Sequence, residues 1–282
     1  MDVILAETAG FCMGVDLALN RLDSLLAEEG VGLVQTLGPI IHNPQVLEHY
    51  GQRGVTVARG LEDIAPGAAV VIRAHGVPRA LQEGLDTRGA RVVDATCPKV
   101  KKAQMLIGRE AERGRKLLLY GEADHPEVRG LLSYAGPDAF VFGSREEFEA
   151  HVLDPGSRYV LAAQTTQDRE VFETLAADLA DRPGLDVKVL QTICDATRLR
   201  QEDAVRIARE VDYMVVVGGR ESGNTRRLAQ VAAAQGTPCV HVETAAELPL
   251  DELRKCRRVG LTAGASTPRE LVAGIFHLLK GL

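Results

Sequence analysis

One pattern constrains the fold of this chain more than any other: a short apolar strand, a loop that ends in a cysteine, and a helix with apolar periodicity. It occurs three times, and the cysteines are Cys12, Cys97 and Cys194. Short apolar runs alternate with helical patterns along the rest of the chain as well. This alternation predicts an α/β fold with largely parallel sheets.

Two further strand-and-loop segments follow each cysteine helix. In the first, a polar side chain stands four residues after the glycine that ends the strand, and the three copies have His42, His125 and Ser222 there. The second carries a polar loop directly after its strand, with His75, Thr165 and Ser266 in the three copies. The fixed offset predicts an internal repeat of three similar α/β units.

The repeats place the predicted unit boundaries at the cysteines. Residues 13–96, 97–193 and 194–282 are the first, second and third α/β repeat, and residues 1–12 are an N-terminal strand and first thiol loop that close onto the third repeat. Loops at the carboxyl ends of parallel strands carry the functional residues of such folds. We therefore expect a pseudo-threefold ring whose loops point at one central space.

Composition narrows the functional class. The 282-residue chain has a formal net charge of −6 and no tryptophan, which argues against binding nucleic acid through phosphate charge or base stacking. No signal-peptide pattern precedes Glu7 and no run reaches the roughly 20 apolar residues of a membrane span. The sequence thus predicts a cytoplasmic protein whose five cysteines bind metal, take part in catalysis or lie buried, rather than forming disulfides.

Three thiols at equivalent positions of a repeat favour a shared ligand. The start of a helix favours the thiolate, which is the form that binds metal. Two sites fit this pattern: zinc with an open fourth position, or a 4Fe–4S cluster with one iron left open. The cluster is favoured because zinc sites usually draw on close-spaced cysteine pairs, which the sequence lacks. Cys239 and Cys256 do not repeat and are interpreted as buried or incidental thiols.

The remaining loops predict an anion site, most naturally for a phosphate. Imidazole, hydroxyl and amide donors at helix starts suit such a ligand, and the candidates are His42, His75, His125, Thr165, Thr166, Ser222, Asn224 and Ser266. Glu127, two residues after a loop histidine, is the candidate proton carrier. For Asn43, Thr166 and Thr225 we expect helix capping instead, whereas the histidines are interpreted as ligands because histidine is not a favoured N-cap.

The ordered motifs resemble those of the 4-hydroxy-3-methylbut-2-enyl diphosphate reductase family, also called LytB or IspH, over essentially the whole chain. The segments that carry the resemblance are Gly10–Val15, His42-Asn43, Ala74–Val77, Asp94–Pro98, His125–Val128, Gln164–Thr166, Thr192–Cys194, Ser222–Asn224 and Thr262–Ser266. The family implies a trefoil of three α/β units around a central 4Fe–4S cluster with one open iron. It also implies reductive removal of the substrate's allylic hydroxyl, which gives isopentenyl and dimethylallyl diphosphates in the last step of the methylerythritol phosphate pathway.

By position, the resemblance also implies the role of each site residue. The iron ligands are Cys12, Cys97 and Cys194; the diphosphate contacts are His42, His75, His125, Thr165, Ser222, Gly223, Asn224 and Ser266; and Glu127 relays protons with Thr165 and His125. Gly223 stands where many members have a second serine, so only its N–H is expected to reach the diphosphate, and Met13 replaces a smaller residue beside the cluster.

An electron donor such as ferredoxin or flavodoxin is the expected protein partner. Lys99, Lys101 and Lys102 follow Cys97 and could dock an acidic carrier. Such a run is more often the solvated face of a helix. The sequence therefore leaves the location of the docking surface open.

Overall fold

The structure is a computed structural model that describes residues 1–87 and 89–282. Its strands are β1 (Asp2–Leu5), β2 (Val34–Leu37), β3 (Thr56–Ala58), β4 (Ala69–Ile72), β5 (Arg91–Asp94), β6 (Lys116–Tyr120), β7 (Phe140–Phe142), β8 (Arg158–Ala163), β9 (Asp186–Val189), β10 (Tyr213–Val217), β11 (Cys239–Val242) and β12 (Arg258–Ala263). Its helices are α1 (Met13–Leu26), α2 (Pro44–Gln52), α3 (Arg79–Thr87), α4 (Pro98–Glu112), α5 (Pro126–Leu132), α6 (Arg145–Glu149), α7 (Arg169–Ala180), α8 (Asp195–Ala208), α9 (Gly223–Ala233), α10 (Leu250–Leu253) and α11 (Arg269–Lys280).

The strands form three four-stranded sheets, with the orders β3-β2-β4-β5, β7-β6-β8-β9 and β11-β10-β12-β1. The described strand pairs are parallel in all three. Each sheet has the same order of second, first, third and fourth strand, and β1 takes the fourth place in the last sheet. The predicted α/β class with parallel sheets is confirmed.

Burial on both faces explains why the strand sequences are so apolar. In β6, Leu117 and Leu119 belong to one core cluster, whereas Leu118 and Tyr120 belong to another. Successive side chains of a strand point to opposite faces of the sheet. A parallel sheet covered by helices on both faces therefore needs an almost unbroken apolar run.

The chain divides into two compact units, called the first unit and the second unit, which differ from the three predicted repeats. The first contains Met1–Asp16, Ile41–Tyr50 and Cys194–Leu282, and the second contains Leu17–Ile40 and Gly51–Ile193. The sheet that contains β1 lies in the first unit, and the other two sheets lie in the second. The finer boundaries at the cysteines, residues 1–12, 13–96, 97–193 and 194–282, stay a prediction.

Two glycines shape loops that carry predicted site residues. A Cβ at Gly219 would lie 2.5 Å from the carbonyl oxygen of His42, so only glycine allows these two loops of the first unit to pack. Gly76, directly after His75, has φ +70°, a conformation that favours glycine.

Within the described residues, no helix is both long and apolar enough to cross a membrane.

Candidate active site

The three predicted ligand cysteines share one local position, immediately before a helix. The helices that follow them begin at Met13, Pro98 and Asp195. A helix start presents backbone N–H groups that have no partner within the helix. Cys194 uses one of them, since its Sγ accepts a hydrogen bond from the backbone N of Thr197 at 3.3 Å. The expected setting for thiolates is thus present at each cysteine.

Equivalent hydrogen bonds hold the loops of two of these cysteines. The backbone N of Cys12 donates to the carbonyl oxygen of Ala265 at 3.1 Å, and that of Cys97 donates to the carbonyl oxygen of Ala74 at 2.9 Å. Each acceptor follows the third strand of its own repeat, β12 or β4. The repeat therefore extends from the sequence to the backbone geometry of the thiol loops.

The other two cysteines are in different surroundings. Burial raises the pKa of Cys239 to about 11, and its Sγ faces the carbonyl oxygen of Ala229 at 3.8 Å. The pKa of Cys256 is also raised, mainly by burial and further by the carboxylates of Asp212 and Glu252. Both thiols resist ionisation, which supports the interpretation that they are not ligands.

Glu127 is a buried acid on the first turn of α5. Its side chain is 1% exposed. Oε1 accepts a hydrogen bond from the backbone N of Thr165 at 2.6 Å, and Oε2 lies 2.9 Å from the Thr165 hydroxyl. Burial raises the pKa of Glu127 to about 7, against the opposing effect of the two Thr165 hydrogen bonds. Such a carboxyl can hold a proton or release one at neutral pH.

His125 has a structural role that the sequence analysis did not predict. It is the N-cap of α5, and its Nδ1 accepts a hydrogen bond from the backbone N of Glu127 at 3.1 Å. The expectation that a loop histidine does not cap a helix is therefore wrong for His125. Pro126 is the first residue of α5, and this leaves the His125 ring beside the N–H of Glu127. An accepting Nδ1 places the proton of the neutral ring on Nε2. The ring also meets that of His75 edge to face, with centroids 5.3 Å apart.

A cluster of polar side chains lies in the first unit at the start of α9. The hydroxyl of Ser266 lies 3.3 Å from the carbonyl oxygen of His42 and 3.4 Å from the hydroxyl of Ser222. Asn224 is 7% exposed. Its Nδ2 finds no hydrogen-bond acceptor among the described residues. A buried amide without an acceptor is costly, so this cluster suits a ligand that brings acceptor oxygens.

The capping predictions are right for one residue and wrong for two. Asn43 caps α2, since its Oδ1 accepts from the backbone N of Val46 at 3.0 Å. The N-caps of α7 and α9 are Asp168 and Ser222, not Thr166 and Thr225. In both cases the helix begins where a side-chain oxygen reaches the N–H three residues later.

Arg200 is a charged residue of this region that the sequence analysis missed. It lies on α8 and is 5% exposed. Its Nη2 donates to the carbonyl oxygen of Gly10 at 2.6 Å, and its Nη1 donates to that of Ala196 at 3.1 Å. The helical spacing of the sequence could have indicated its burial, because Arg200 shares the buried face of α8 with Ala204 and Ile207.

The predicted site residues fall into two sets. The first unit contains Cys12, His42, Cys194, Ser222, Gly223, Asn224 and Ser266, and the second contains His75, Cys97, His125, Glu127 and Thr165. All of them lie on loops or helix starts that follow a strand, the position that parallel α/β folds give to their functional residues. Convergence of the two sets on one centre stays a prediction.

Parallel sheets with polar loops at the carboxyl ends of their strands define a protein of the α/β class. A family model described as LytB protein matches residues 3–280. The chain therefore belongs to the LytB protein family, and the resemblance inferred from its motifs is confirmed.

Individual relatives agree with the family match. The chain is 59% identical over 282 residues, 100% of both chains, to the 4-hydroxy-3-methylbut-2-enyl diphosphate reductase of Nitratidesulfovibrio vulgaris strain Miyazaki F. A solved structure of (E)-4-hydroxy-3-methyl-but-2-enyl diphosphate reductase, described as the terminal enzyme of the non-mevalonate pathway, is 39% identical with a TM-score of 0.70, and 100% of each chain is covered.

A more distant structure confirms the fold. The E-1-hydroxy-2-methyl-but-2-enyl-4-diphosphate reductase from Plasmodium falciparum is only 23% identical, yet its TM-score is 0.92 over 98% of this chain and 87% of that chain. The predicted fold of three similar α/β units is therefore that of a known structure.

Proposed function

We propose that this chain reductively removes the allylic hydroxyl of 4-hydroxy-3-methylbut-2-enyl diphosphate. In the reaction the substrate takes up two electrons and two protons, its C–O bond breaks, and the oxygen leaves as water. The products are isopentenyl diphosphate and dimethylallyl diphosphate, and the reaction is the last step of the methylerythritol phosphate pathway. Membership of the family and full-length similarity to reductases of this name support the proposal.

The observation that carries the proposal is the buried carboxyl of Glu127. Loss of a hydroxyl group as water needs a proton at the departing oxygen. A carboxyl with a pKa of about 7 still holds its proton in a large fraction of molecules at neutral pH. Thr165 holds both carboxyl oxygens, and His125 lies at the start of the same helix. In this proposal Glu127 delivers the proton, Thr165 orients the acid, and His125 donates a hydrogen bond from Nε2.

We assign a 4Fe–4S cluster to Cys12, Cys97 and Cys194. Three thiols at helix starts match three irons and leave the fourth iron open. Arg200 supports an anionic group beside Cys12 and Cys194, because among the described residues no carboxylate pairs with it. When bound, such a cluster supplies electrons and an open coordination position for the hydroxyl oxygen.

The diphosphate is assigned to the loop histidines and to the start of α9. Asn224 has a buried N–H₂ that needs an acceptor, and Ser222 and Ser266 add hydroxyls beside it. The first N–H groups of an α-helix point toward such an anion. Gly223, at the first position of α9, contributes its backbone N–H in this arrangement, and His42 and His75 complete the donor set.

Metal analysis combined with turnover tests the function. Protein purified without oxygen is expected to contain about four irons and four sulfides per chain, to be brown, and to convert the allylic diphosphate to the two products in the presence of a reductant. Stoichiometric zinc in a colourless protein would instead identify a hydrolase of a phosphorylated substrate with Glu127 as base. If the protein binds a cluster but does not turn over the allylic diphosphate, and if Glu127→Gln leaves the properties of that cluster unchanged, the protein is an iron or redox sensor.

We further propose that the electron donor is a small acidic carrier such as ferredoxin or flavodoxin, and that it docks on α4. Residues 98–109 contain four basic residues and no acidic one, in a chain whose net charge is −6. A groove of about 330 Å³ lies on this helix beside Cys97, and its lining includes Arg21, Lys101, Lys102, Met105 and Arg109. Lys101 is neutralised by Asp94, but among the described residues neither Lys102 nor Arg109 pairs with a carboxylate.

The shape and position of this groove suit electron transfer. Met105 is 56% exposed, so the cations surround an apolar contact. At about 1.5 Å of rise per residue, Met105 is roughly 12 Å along the helix from Cys97. An acidic carrier seated there would approach the assigned cluster from the Cys97 side.

Charge reversal tests the docking surface. The double variant Lys102→Glu, Arg109→Glu is expected to lower the rate of reduction by reduced ferredoxin about tenfold at low salt, and to leave reduction by methyl viologen unchanged. The variant Arg254→Glu, Lys255→Glu makes the same change in net charge in the third repeat and serves as the control. If the two variants are reduced at equal rates, or if salt does not change the wild-type rate, Lys102 and Arg109 belong to a solvated helix face.

A further inference from the structure

Arg200 is an arginine whose charge lies inside the first unit. It is 5% exposed and lies on the face of α8 that also buries Thr197, Gln201 and Ala204. Burying a guanidinium without a compensating anion costs several kcal/mol. A matching negative charge is therefore expected close to Arg200.

The hydrogen bonds of Arg200 place the guanidinium between two thiol loops. Nη2 donates to the carbonyl oxygen of Gly10, two residues before Cys12, and Nη1 donates to that of Ala196, two residues after Cys194. Both acceptors are neutral. Nε is buried and has no acceptor among the described residues, and within the same residues no carboxylate pairs with the guanidinium. The described residues thus supply acceptors for the hydrogen bonds of Arg200 but no counter-charge apart from the thiols.

The ionisable groups whose charges act on Arg200 are those two thiols. Burial lowers the pKa of Arg200, and the charges of Cys12 and Cys194 act in the opposite direction. Guanidinium groups nevertheless stay protonated in proteins. A permanent cation therefore faces two of the three residues that are assigned to the cluster.

We propose that Arg200 is the charge partner of the Cys12 and Cys194 thiolates and raises the reduction potential of the cluster that they hold. The inference rests on the proposed function, because it needs the cluster to be present. A nearby positive charge stabilises the redox state that carries one more electron, and low exposure to solvent strengthens the effect. Arg200 is a positioning residue, which acts through the ligands and does not touch the substrate.

The test is a redox titration of the cluster without substrate. Wild type, Arg200→Met and Arg200→Lys are prepared without oxygen, analysed for iron and sulfide, and titrated by electron paramagnetic resonance. Arg200→Met removes the charge and keeps much of the volume, and Arg200→Lys keeps the charge. Arg198→Met is the matched control, because Arg198 lies on the same helix and pairs with Glu202 at the surface.

At a fixed applied potential, the ratio of reduced to oxidised cluster is expected to fall at least tenfold in Arg200→Met, which is about 59 mV for a one-electron couple. Arg200→Lys is expected to stay within about threefold of wild type, since it keeps the charge, and Arg198→Met is expected to match wild type. If Arg200→Met loses its iron while Arg200→Lys keeps it and titrates like wild type, the charge is likewise required.

Two results would overturn the inference. One is an Arg200→Met protein that holds its cluster and titrates like wild type. The other is loss of iron from both variants, which would make Arg200 a hydrogen-bonded clamp between two loops and not a charge partner. A wild type without iron and sulfide would refute the proposed function itself, so the two failures can be told apart.

Discussion

Replacement of Glu127 by glutamine tests the central feature of the site, a carboxyl that is protonated near neutral pH. Glutamine has the shape of the protonated acid. Its amide oxygen can accept from the backbone N of Thr165, and its N–H₂ can donate to the Thr165 hydroxyl, so both observed hydrogen bonds have a counterpart. The variant is therefore expected to fold and bind its cluster as wild type does, but to lose nearly all product formation because it has no proton to give.

The size and sign of the effect on stability follow from the pKa. The pKa of Glu127 rises from an ordinary value of 4.5 to about 7, so between these values the folded protein holds a proton that the unfolded chain has released. Stability from this group is fully present below pH 4.5 and is lost as the pH rises through about 7. A difference of 2.5 pKa units at 1.36 kcal/mol each is about 3 kcal/mol.

Urea unfolding at pH values from 4.5 to 8.5 measures this directly. The free energy of unfolding of wild type, relative to Glu127→Gln, is expected to fall by about 3 kcal/mol across the range. Parallel profiles for the two proteins would show that Glu127 ionises in its ordinary range and would remove it as proton donor.

Glu110 is a matched control of opposite sign. It is 3% exposed, and its hydrogen bond from Lys188 is the largest cause that holds its pKa below the ordinary value. A lowered pKa stabilises the protein above the unfolded pKa, and this stability is lost as the pH falls. Glu110→Gln is therefore expected to destabilise the protein near neutral pH, with an effect that shrinks toward acid.

Five other substitutions, two of them controls, separate the parts of the site. Thr165→Val removes a hydroxyl that lowers the pKa of Glu127, so in the same urea titration stability should persist to a higher pH before it falls. Ser222→Ala and Asp168→Ala each remove an N-cap at a cost of about 1 kcal/mol, but only Ser222→Ala should also raise KM for the diphosphate, and equal KM values would remove Ser222 from the binding site. Cys97→Ser should lower the iron content of anaerobic protein whereas Cys239→Ser should not, and unchanged iron in both would contradict the ligand assignment.

Repetition in the sequence was sufficient to predict the fold class. The strand, cysteine and helix pattern and the fixed glycine offsets predict three similar units, and the three sheets indeed share one strand order. Prediction was possible because apolar runs and helix starts are local properties of the chain. The pairing of β1 with β12 joins residues from opposite ends of the chain. No local pattern predicts such a pairing, and only the equivalence of the three repeats indicated it.

Capping was less predictable than the elements themselves. The loop sequences predict Thr166 and Thr225 as caps, whereas Asp168 and Ser222 are the caps. Several residues in each loop can cap, and the backbone path of the loop decides which oxygen reaches an N–H. The same cause gave His125 a capping role that its residue type does not indicate.

The sequence by itself determined which residue types stand at the ends of the strands: three thiols, three histidines, a carboxylate and several hydroxyls. Only the tertiary structure decided their protonation and their partners. Glu127 holds its proton near neutral pH because folding removes it from water, and this burial outweighs the two hydrogen bonds from Thr165, which favour the ionised form. Arg200 faces two thiol loops because α8 turns that residue inward. Burial and long-range contact set the energy of a charge, and neither is a property of the local sequence.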